Sequence, residues 1–462
     1  MAEATVLALD LGTSSLKGAL YSSSGERLAL TSAPCSATEP AEYLSAAARV
    51  CRELSGAGLP VAAVGLSTQT PTLIFCDASG NALTEAIIWQ DSRAGEESRW
   101  LMENYPDAMR REWFGMDLPI GAATTPPKVL WMSRHAPDIW RRTRWVLQPK
   151  EFLLFHLTGV FAADRWCSKG LINLVTGEPA WPFLEILEKS EPLCPMLLVP
   201  DSIAGRVTNT RFSLPAGTPV TTGWSDAMCG ILATGAFHRP GRGFVISGTS
   251  EIVGVSSRPR TPVKGLFWAP ENLVEIRGLG LHYGPTQAGG SCLDWLSGLL
   301  GKSAEELLEM AGGGLSSILC RPYFHGERAP YWDHTLSATF EGLRAEHGPA
   351  DIVRAVLQGV ALQERLVLEC AEDGAPAPEV VLAGGGARSA VWNRMRADVL
   401  QRKILVLDDA EASLRGAALL AFAATGAVDL KCPSDSWFSG AGLLPDGACA
   451  EMALRMFDRF RL

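Results

Sequence analysis

Apolar positions along the chain fall into short strand-like runs separated by longer stretches of helical spacing. Val6-Leu-Ala-Leu-Asp10-Leu runs into Gly12-Thr13-Ser14-Ser15, and hairpin-like strands continue through Leu30. Helical spacing covers Pro40 to Ala57, and Val61-Ala-Ala-Val-Gly-Leu-Ser67 reads as the next strand. Two more strand runs, Thr72-Leu-Ile-Phe-Cys-Asp77 and Ala86-Ile-Ile-Trp89, bracket the turn Ala78-Ser-Gly80-Asn81. From Ala94 to Leu157 the pattern is helical, with Trp131, Trp140 and Trp145 among the apolar positions.

In the second half, Gly217 to Thr222 reads as a strand that leads through Gly223-Trp224-Ser-Asp226 into a small-residue helix. Gly243-Phe-Val-Ile-Ser-Gly248-Thr249-Ser250-Glu251-Ile-Val then repeats the strand, Gly-Thr-Ser turn, strand pattern of the N-terminus. A long helix is predicted from Pro349 to Cys370. Glu379 to Ala383 reads as a strand entering Gly384-Gly385-Gly386, followed by a helix from Ala390 to Gln401 and a strand from Lys403 to Leu407. The last clear helix, Arg415 to Ala424, is built of very small residues, which permit close packing on a sheet. Strands with intervening helices form a mixed α/β pattern. The charged turn His238-Arg-Pro-Gly-Arg-Gly243 marks a junction between two parts, 1–237 and 238–462.

Length supports that division, because 462 residues exceed what one core accommodates. The chain is 47% hydrophobic and 20% charged, as in an ordinary globular protein. Its formal charge of −9 and the lack of a basic stripe argue against a nucleic-acid partner. An anionic ligand would therefore be met by local N–H groups, lysines or a metal. Met1-Ala-Glu-Ala leads into the first strand without a basic leader. No apolar run reaches the roughly 18 residues that span a bilayer. The 11 cysteines are scattered and never form a Cys-x-x-Cys pair, and the 7 histidines are isolated. The expectation is a cytoplasmic protein with reduced thiols, no structural metal and no membrane contact.

Four segments suggest chemistry. Asp10, at a strand end, can hold a hydrated metal ion. Gly12, Thr13 and Ser14 can aim N–H groups and hydroxyls at phosphate, although the spacing is not that of a Walker loop. The same residues read equally as ordinary turn formers. The recurrence at Gly248-Thr249 suggests two similar lobes that each present a hairpin to one nucleotide. Asp226 reads either as a helix cap or as a functional acid, and its place before the second hairpin favours function. The glycines at 384–386 allow a ligand close to the backbone, or form a tight strand-to-helix turn.

Taken in order, Asp10-x-Gly-Thr-Ser-Ser-x-Lys17, Asp226, Gly248-Thr249-Ser250 and Gly384-Gly-Gly-Ala-Arg-Ser389 resemble the FGGY carbohydrate kinases. These belong to the superfamily of sugar kinases, actin and heat-shock chaperones. Trp89-Gln-Asp91-Ser-Arg93, Leu157-Thr-Gly159, Gly326-Glu-Arg328-Ala-Pro330 and Arg354-Ala-Val-Leu-Gln-Gly359 agree, so the resemblance spans nearly the whole chain. It implies an α/β fold of two ribonuclease H-like (actin-like ATPase) lobes, 1–237 and 238–462, with a nucleotide- and sugar-binding cleft between them. It further implies ATP as phosphoryl donor and Mg²⁺ held in part by Asp10. Gly12, Thr13, Ser14 and Lys17 would form the first phosphate loop, and Gly248 and Thr249 the second. Gly290, Gly385 and Gly386 would approach the nucleotide, and Asp226 would be the catalytic base. Relatives often form homodimers.

On the acceptor side the candidates are Gln69, Trp89, Asp91, Arg93 and Trp224 beside Asp226, with Asp91 and Arg93 reading equally as a loop-fixing ion pair. The chain departs from better-known members here. Thr70 and Pro71 stand where glycerol kinases carry Arg-Glu and xylulokinases Met-His, and Ala227 and Gln358 replace more usual polar residues. The resemblance implies a small sugar or polyol substrate, with a pentulose such as xylulose or ribulose first. Gluconate or a tetritol or pentitol is the alternative. A non-catalytic regulatory relative is disfavoured, because Asp10, Asp226 and both Gly-Thr-Ser turns are present.

Overall fold

The computed structural model describes residues 5–118, 120–257, 263–269, 276 and 279–461. The first four residues lie outside it. Two compact units emerge. One comprises the described residues up to Cys229 together with Ser413–Trp437, and the other those from Gly230 to Ala412 and from Phe438 onward. Each is built on a seven-stranded sheet. The return of the 413–437 segment to the first unit is tied by Trp437 Nε1, which donates to Ser23 O at 3.1 Å.

In the first unit β1 (Thr5–Leu11), β2 (Ser15–Tyr21) and β3 (Arg27–Pro34) form an antiparallel meander. Helix α1 (Pro40–Ser55) then carries the chain to β4 (Val61–Thr68), which lies parallel to β1. With β5 (Ile203–Arg206), β6 (Pro219–Thr221) and β7 (Trp224–Ser225), the order is β3-β2-β1-β4-β6-β5, and β7 also pairs with β4. α1 begins with a proline in its first turn and an acid at Glu42, both suited to the positive end of a helix. Tyr43, Ala47, Val50, Cys51 and Leu54 recur at helical spacing and are buried against Leu9, Leu20 and Leu66 of the sheet.

The second unit repeats this plan. After helix α2 (Asp226–Ala233) come β8 (Gly243–Ser247) and β9 (Glu251–Ser257), an antiparallel hairpin. They share a sheet with β10 (Phe267–Ala269), β11 (Gly280–Pro285), β12 (Glu379–Ala383), β13 (Lys403–Leu407) and β14 (Gly440–Leu443) in the order β10-β11-β9-β8-β12-β13-β14. β12 lies parallel to β8, as β4 does to β1. The helices used below are α3 (Gly290–Leu300), α4 (Pro349–Glu372), α5 (Ala390–Leu400) and α6 (Ala412–Ala424). Among the described residues no helix is long and apolar enough to cross a membrane.

The small residues of α6 do pack closely. A Cβ added to Gly65 of β4 would lie 2.2 Å from Ala417 O, and one added to Gly416 only 1.9 Å from Cys229 O. Two local expectations need correction. The helical stretch from 94 to 157 is broken by the strand Trp145–Leu147, which pairs with Ile74–Cys76. That cross-strand pairing outweighs the helical spacing of three residues. Ala86 to Trp89 makes one bridge, Leu73 to Ile87, and no strand. The carbonyl of Ile88 is taken by Lys128 Nζ at 2.6 Å instead of a ladder.

Candidate active site

Strand register builds the candidate site of the first unit. Asp10 of β1 lies opposite Ser67 of β4, and Ser67 in turn opposite Trp224 of β7, all in parallel pairing. The carboxyl ends of these strands therefore open on one edge, where open α/β sheets bind ligands. Ser67 Oγ donates to Asp10 Oδ1 at 2.6 Å. Lys17 of β2 is the antiparallel cross-strand partner of Asp10 and so shares its face of the sheet.

Asp226 follows β7 and opens α2. Its Oδ1 accepts the Ala227 N–H at 2.7 Å, and its main-chain carbonyl accepts Ser413 Oγ at 3.2 Å. Burial and the neighbouring Asp10 charge push the Asp226 carboxyl up to about 7, against the pull of the Ala227 N–H and Lys169. A carboxylate poised near neutral pH is suited to accept a proton. Asp226 is thus the first residue of α2, with its carboxylate on the next N–H of the chain.

Gln69 continues β4, with its N–H on Leu11 O at 2.9 Å. Thr13 Oγ1 donates to Gln69 Oε1 at 3.0 Å and accepts from Trp89 Nε1 at 3.1 Å. The Gly12 turn, Gln69 and Trp89 are therefore one hydrogen-bonded chain. Asp91 and Arg93 do pair: Oδ1 accepts the Arg93 N–H at 2.9 Å, and Oδ2 accepts Nε at 2.8 Å. Burial raises Asp91, but the bonds from Arg93 overcome it and leave the carboxyl below its ordinary value. Arg93 also lies 4.9 Å over the ring of Trp131. Trp224 has no exposed surface, so its ring belongs to the core.

Sequence reading did not single out Ser67, Lys128 or Lys169. Lys128 is fully buried, and its Nζ donates to Ile88 O and to Pro71 O at 3.3 Å, bracing the segments on either side of Trp89 and Thr70. Burial lowers its ammonium to about 7, and Asp91 opposes that shift. Register alone could have flagged Ser67; nothing in the local sequence marks the two lysines.

In the second unit, the Gly248 N–H donates to Ser250 O at 3.0 Å and closes the β8–β9 hairpin. The Gly12 N–H closes the β1–β2 hairpin on Ser15 O at the same distance. Helix α3 starts directly against the second hairpin, with the Gly290 and Ser291 N–H groups on Gly248 O and Thr249 O at 2.9 Å each. A Cβ at Gly290 would come within 2.7 Å of Gly248 O, and one at Gly386 within 2.0 Å of Ser247 Oγ. The Gly248–Thr249 hairpin, Gly290 and the 384–386 turn thus meet in one corner of this unit. Those glycines are required by their neighbours. At Gly385 a Cβ would meet nothing within 4 Å, and at Gly12 the nearest atom lies 3.6 Å away, so there the backbone is open to a ligand.

Residues 5–233 match the N-terminal domain, and residues 243–425 the C-terminal domain, of the FGGY family of carbohydrate kinases. The chain belongs to the FGGY family. A curated xylulose kinase of Escherichia coli K12 is 29% identical over 421 residues, covering 85% of this chain and 84% of its own. A gluconokinase of Bacillus licheniformis is 25% identical, covering 92% and 88%. The crystal structure of a xylulose kinase from Rhodospirillum rubrum superposes with a TM-score of 0.85 at 28% identity, covering 99% and 97%. The two sheet-based units of this FGGY kinase accordingly share the actin-like ATPase fold of sugar kinases.

One further acidic group occurs in this FGGY kinase. Glu151, Asp164 and Cys167 bring ligand atoms within 4.8 Å of one another. Lys150 Nζ already stands 2.8 Å from Glu151 Oε1 and 3.1 Å from Asp164 Oδ2, and it donates to Thr222 O at 3.0 Å. Burial opposes its charge, but the two carboxylates outweigh burial and keep the ammonium protonated. The lysine serves as the cation of this cluster.

Proposed function

We propose that this FGGY kinase transfers the γ-phosphoryl group of ATP to a hydroxyl of a pentulose, xylulose or ribulose, with Asp226 as the general base. The observation that carries the reading is the Asp226 carboxyl, set at a strand end beside Asp10 and raised to about 7. Asp226 accepts the hydroxyl proton as the sugar oxygen attacks the γ-phosphorus, the bond to the bridging oxygen breaks, and ADP leaves. Phosphoryl transfer asks for positioning and charge neutralisation more than for covalent chemistry, and one base contributes roughly 10²–10⁴ in rate.

A magnesium ion would neutralise phosphate charge, and the donor suits it: Asp10 offers hard carboxylate oxygens, one of which Ser67 fixes. Gly12, Thr13, Ser14 and Lys17 are read as one phosphate loop and Gly248 with Thr249 as the other. Gly290, Gly385 and Gly386 are read on the nucleoside side. Gln69, Trp89, Asp91, Arg93 and Trp224 are read as the acceptor-side set, with Trp224 acting from the core.

The gluconokinase relative favours a sugar acid as the second reading. The cations on the acceptor side argue for a neutral sugar. Arg93 is neutralised by Asp91, and Lys128 gives its ammonium to two carbonyls. ADP release with Mg-ATP, measured over xylulose, ribulose, gluconate and a set of tetritols and pentitols, tests this. A pentulose is expected to give the highest kcat/KM; gluconate exceeding it by about tenfold or more, about 1.4 kcal/mol of discrimination, would reverse the assignment.

A further inference from the structure

A fully buried arginine lies behind the two loops of the second unit. Arg396, on α5, has no exposed surface and is surrounded by groups from four other segments. Its Nη2 donates to Ser247 Oγ at 2.7 Å and stands 3.2 Å from Glu251 Oε1. Its Nε pairs with Glu364 Oε1 of α4 at 2.9 Å. Its Nη1 donates to Gly386 O at 3.3 Å, and its plane lies 4.0 Å over the Trp392 ring. Ser247 and Glu251 face each other in the β8–β9 ladder, and Ser247 Oγ donates to Glu251 Oε1 at 2.9 Å. They are the two residues that flank the Gly248-Thr249-Ser250 turn. One guanidinium therefore grips the base of the hairpin and the carbonyl of the glycine turn together.

We propose that Arg396 is a positioning residue that holds the Gly248–Thr249 hairpin and the 384–386 turn in register, so that nucleotide affinity depends on it. The inference rests on the reading of those two loops as nucleotide-binding. A buried ion pair seldom stabilises a fold beyond what well-packed apolar side chains would, so stability alone gives little reason for an arginine here. What it supplies is geometry. A planar fork of donors fixes directions that an apolar group leaves free. The neighbouring contact is unforgiving, because Gly386 packs so tightly on Ser247 that a Cβ would reach 2.0 Å from its Oγ. Burial raises both Glu251 and Glu364, while Arg396 pulls each of them down. Oε2 of each glutamate has no hydrogen-bond partner among the described residues.

The test compares the wild type with Arg396→Met, Arg396→Lys, Glu364→Gln and Gly385→Val. ADP affinity is measured by calorimetry, KM for Mg-ATP and for the sugar by steady-state kinetics, and Tm by calorimetric scanning. Gly385→Val adds bulk where the backbone is open, and its weakened ADP binding checks the loop reading by itself. Arg396→Met is expected to weaken ADP and raise the ATP KM by about tenfold while the sugar KM stays within about twofold; Arg396→Lys, which keeps the charge and loses the fork, should fall between. A purely structural arginine would lower Tm and move both KM values together. The inference is overturned if Arg396→Met folds and binds ADP like the wild type while Gly385→Val does not. If neither variant weakens ADP, the loop reading fails first and takes the inference with it. Should Arg396→Met not fold, Glu364→Gln decides: a selective rise in the ATP KM supports the inference, and an unchanged ATP KM overturns it.

Discussion

Ser67 Oγ reaches across from β4 to donate a 2.6 Å hydrogen bond to Asp10 Oδ1 on the adjacent parallel strand. A hydrogen bond to a charged group contributes about 1.5–3 kcal/mol, and it fixes which carboxylate oxygen faces the site. Ser67→Ala is therefore expected to lower stability by about that amount at most. It should raise the Mg²⁺ concentration for half-maximal activity by about tenfold, as loss of an outer-shell partner commonly does. A magnesium titration of turnover at saturating ATP and sugar checks this.

Asp226 links activity to pH and to stability with opposite signs. In the unfolded chain an aspartate titrates near about 3.9, whereas here the carboxyl is raised to about 7. The folded protein thus binds the proton more tightly, and the stability this contributes is full at low pH and lost as pH rises through about 7. Asn does not titrate. The Tm of Asp226→Asn relative to wild type should accordingly increase between about pH 5 and about pH 8. Over the same range wild-type kcat/KM should rise, as the base loses its proton. Thermal scans at the two pH values and a pH–rate profile test the pair of signs.

Lys128 braces the backbone beside Thr70 and Trp89 through Pro71 O and Ile88 O. Lys128→Met keeps most of the buried volume but takes the ammonium donor from Pro71 O, at about 1–3 kcal/mol for the buried group, and leaves Ile88 O with the Asp91 N–H at 3.0 Å. The expected result is a raised sugar KM with an unchanged ADP affinity. Steady-state kinetics in both substrates, with calorimetry for ADP, would separate the two effects.

Two glycines should behave in opposite ways. At Gly416 an added methyl would meet the backbone atom Cys229 O at 1.9 Å, and such overpacking costs about 1–3 kcal/mol or more. At Gly385 the same methyl meets nothing within 4 Å. Gly416→Ala is expected to lose several degrees of Tm or fail to accumulate, and Gly385→Ala to keep its Tm. Thermal scanning of both variants is sufficient.

Much of this was legible in the sequence because the chemistry sits on short, local signals. The apolar run into Asp10 and Gly12, its echo at Gly248-Thr249, and the glycines at 384–386 each became a strand followed by a tight turn. The small residues of α6 likewise announced its close packing on β4. What escaped was set by long-range pairing. The strand at 145–147 exists because Phe75 and Val146 face each other. Lys128 matters because burial brings it under Pro71 and Ile88, 57 and 40 residues away in sequence. Arg396 was hidden for the same reason: its partners Ser247 and Glu251 lie 149 and 145 residues upstream. Burial is a further property that spacing leaves open: Trp224, a candidate for the sugar side, has no exposed surface.

The central claim is that Asp226 takes the proton of the sugar hydroxyl. The most direct measurement is phosphoryl transfer from Mg-ATP to xylulose by wild type and Asp226→Asn, with ADP affinity measured on the same preparations. Transfer by Asp226→Asn is expected to fall by roughly 10²–10⁴ while ADP binding stays within about twofold of wild type. Transfer by Asp226→Asn within about tenfold of wild type would contradict it, because a positioned base contributes more than that.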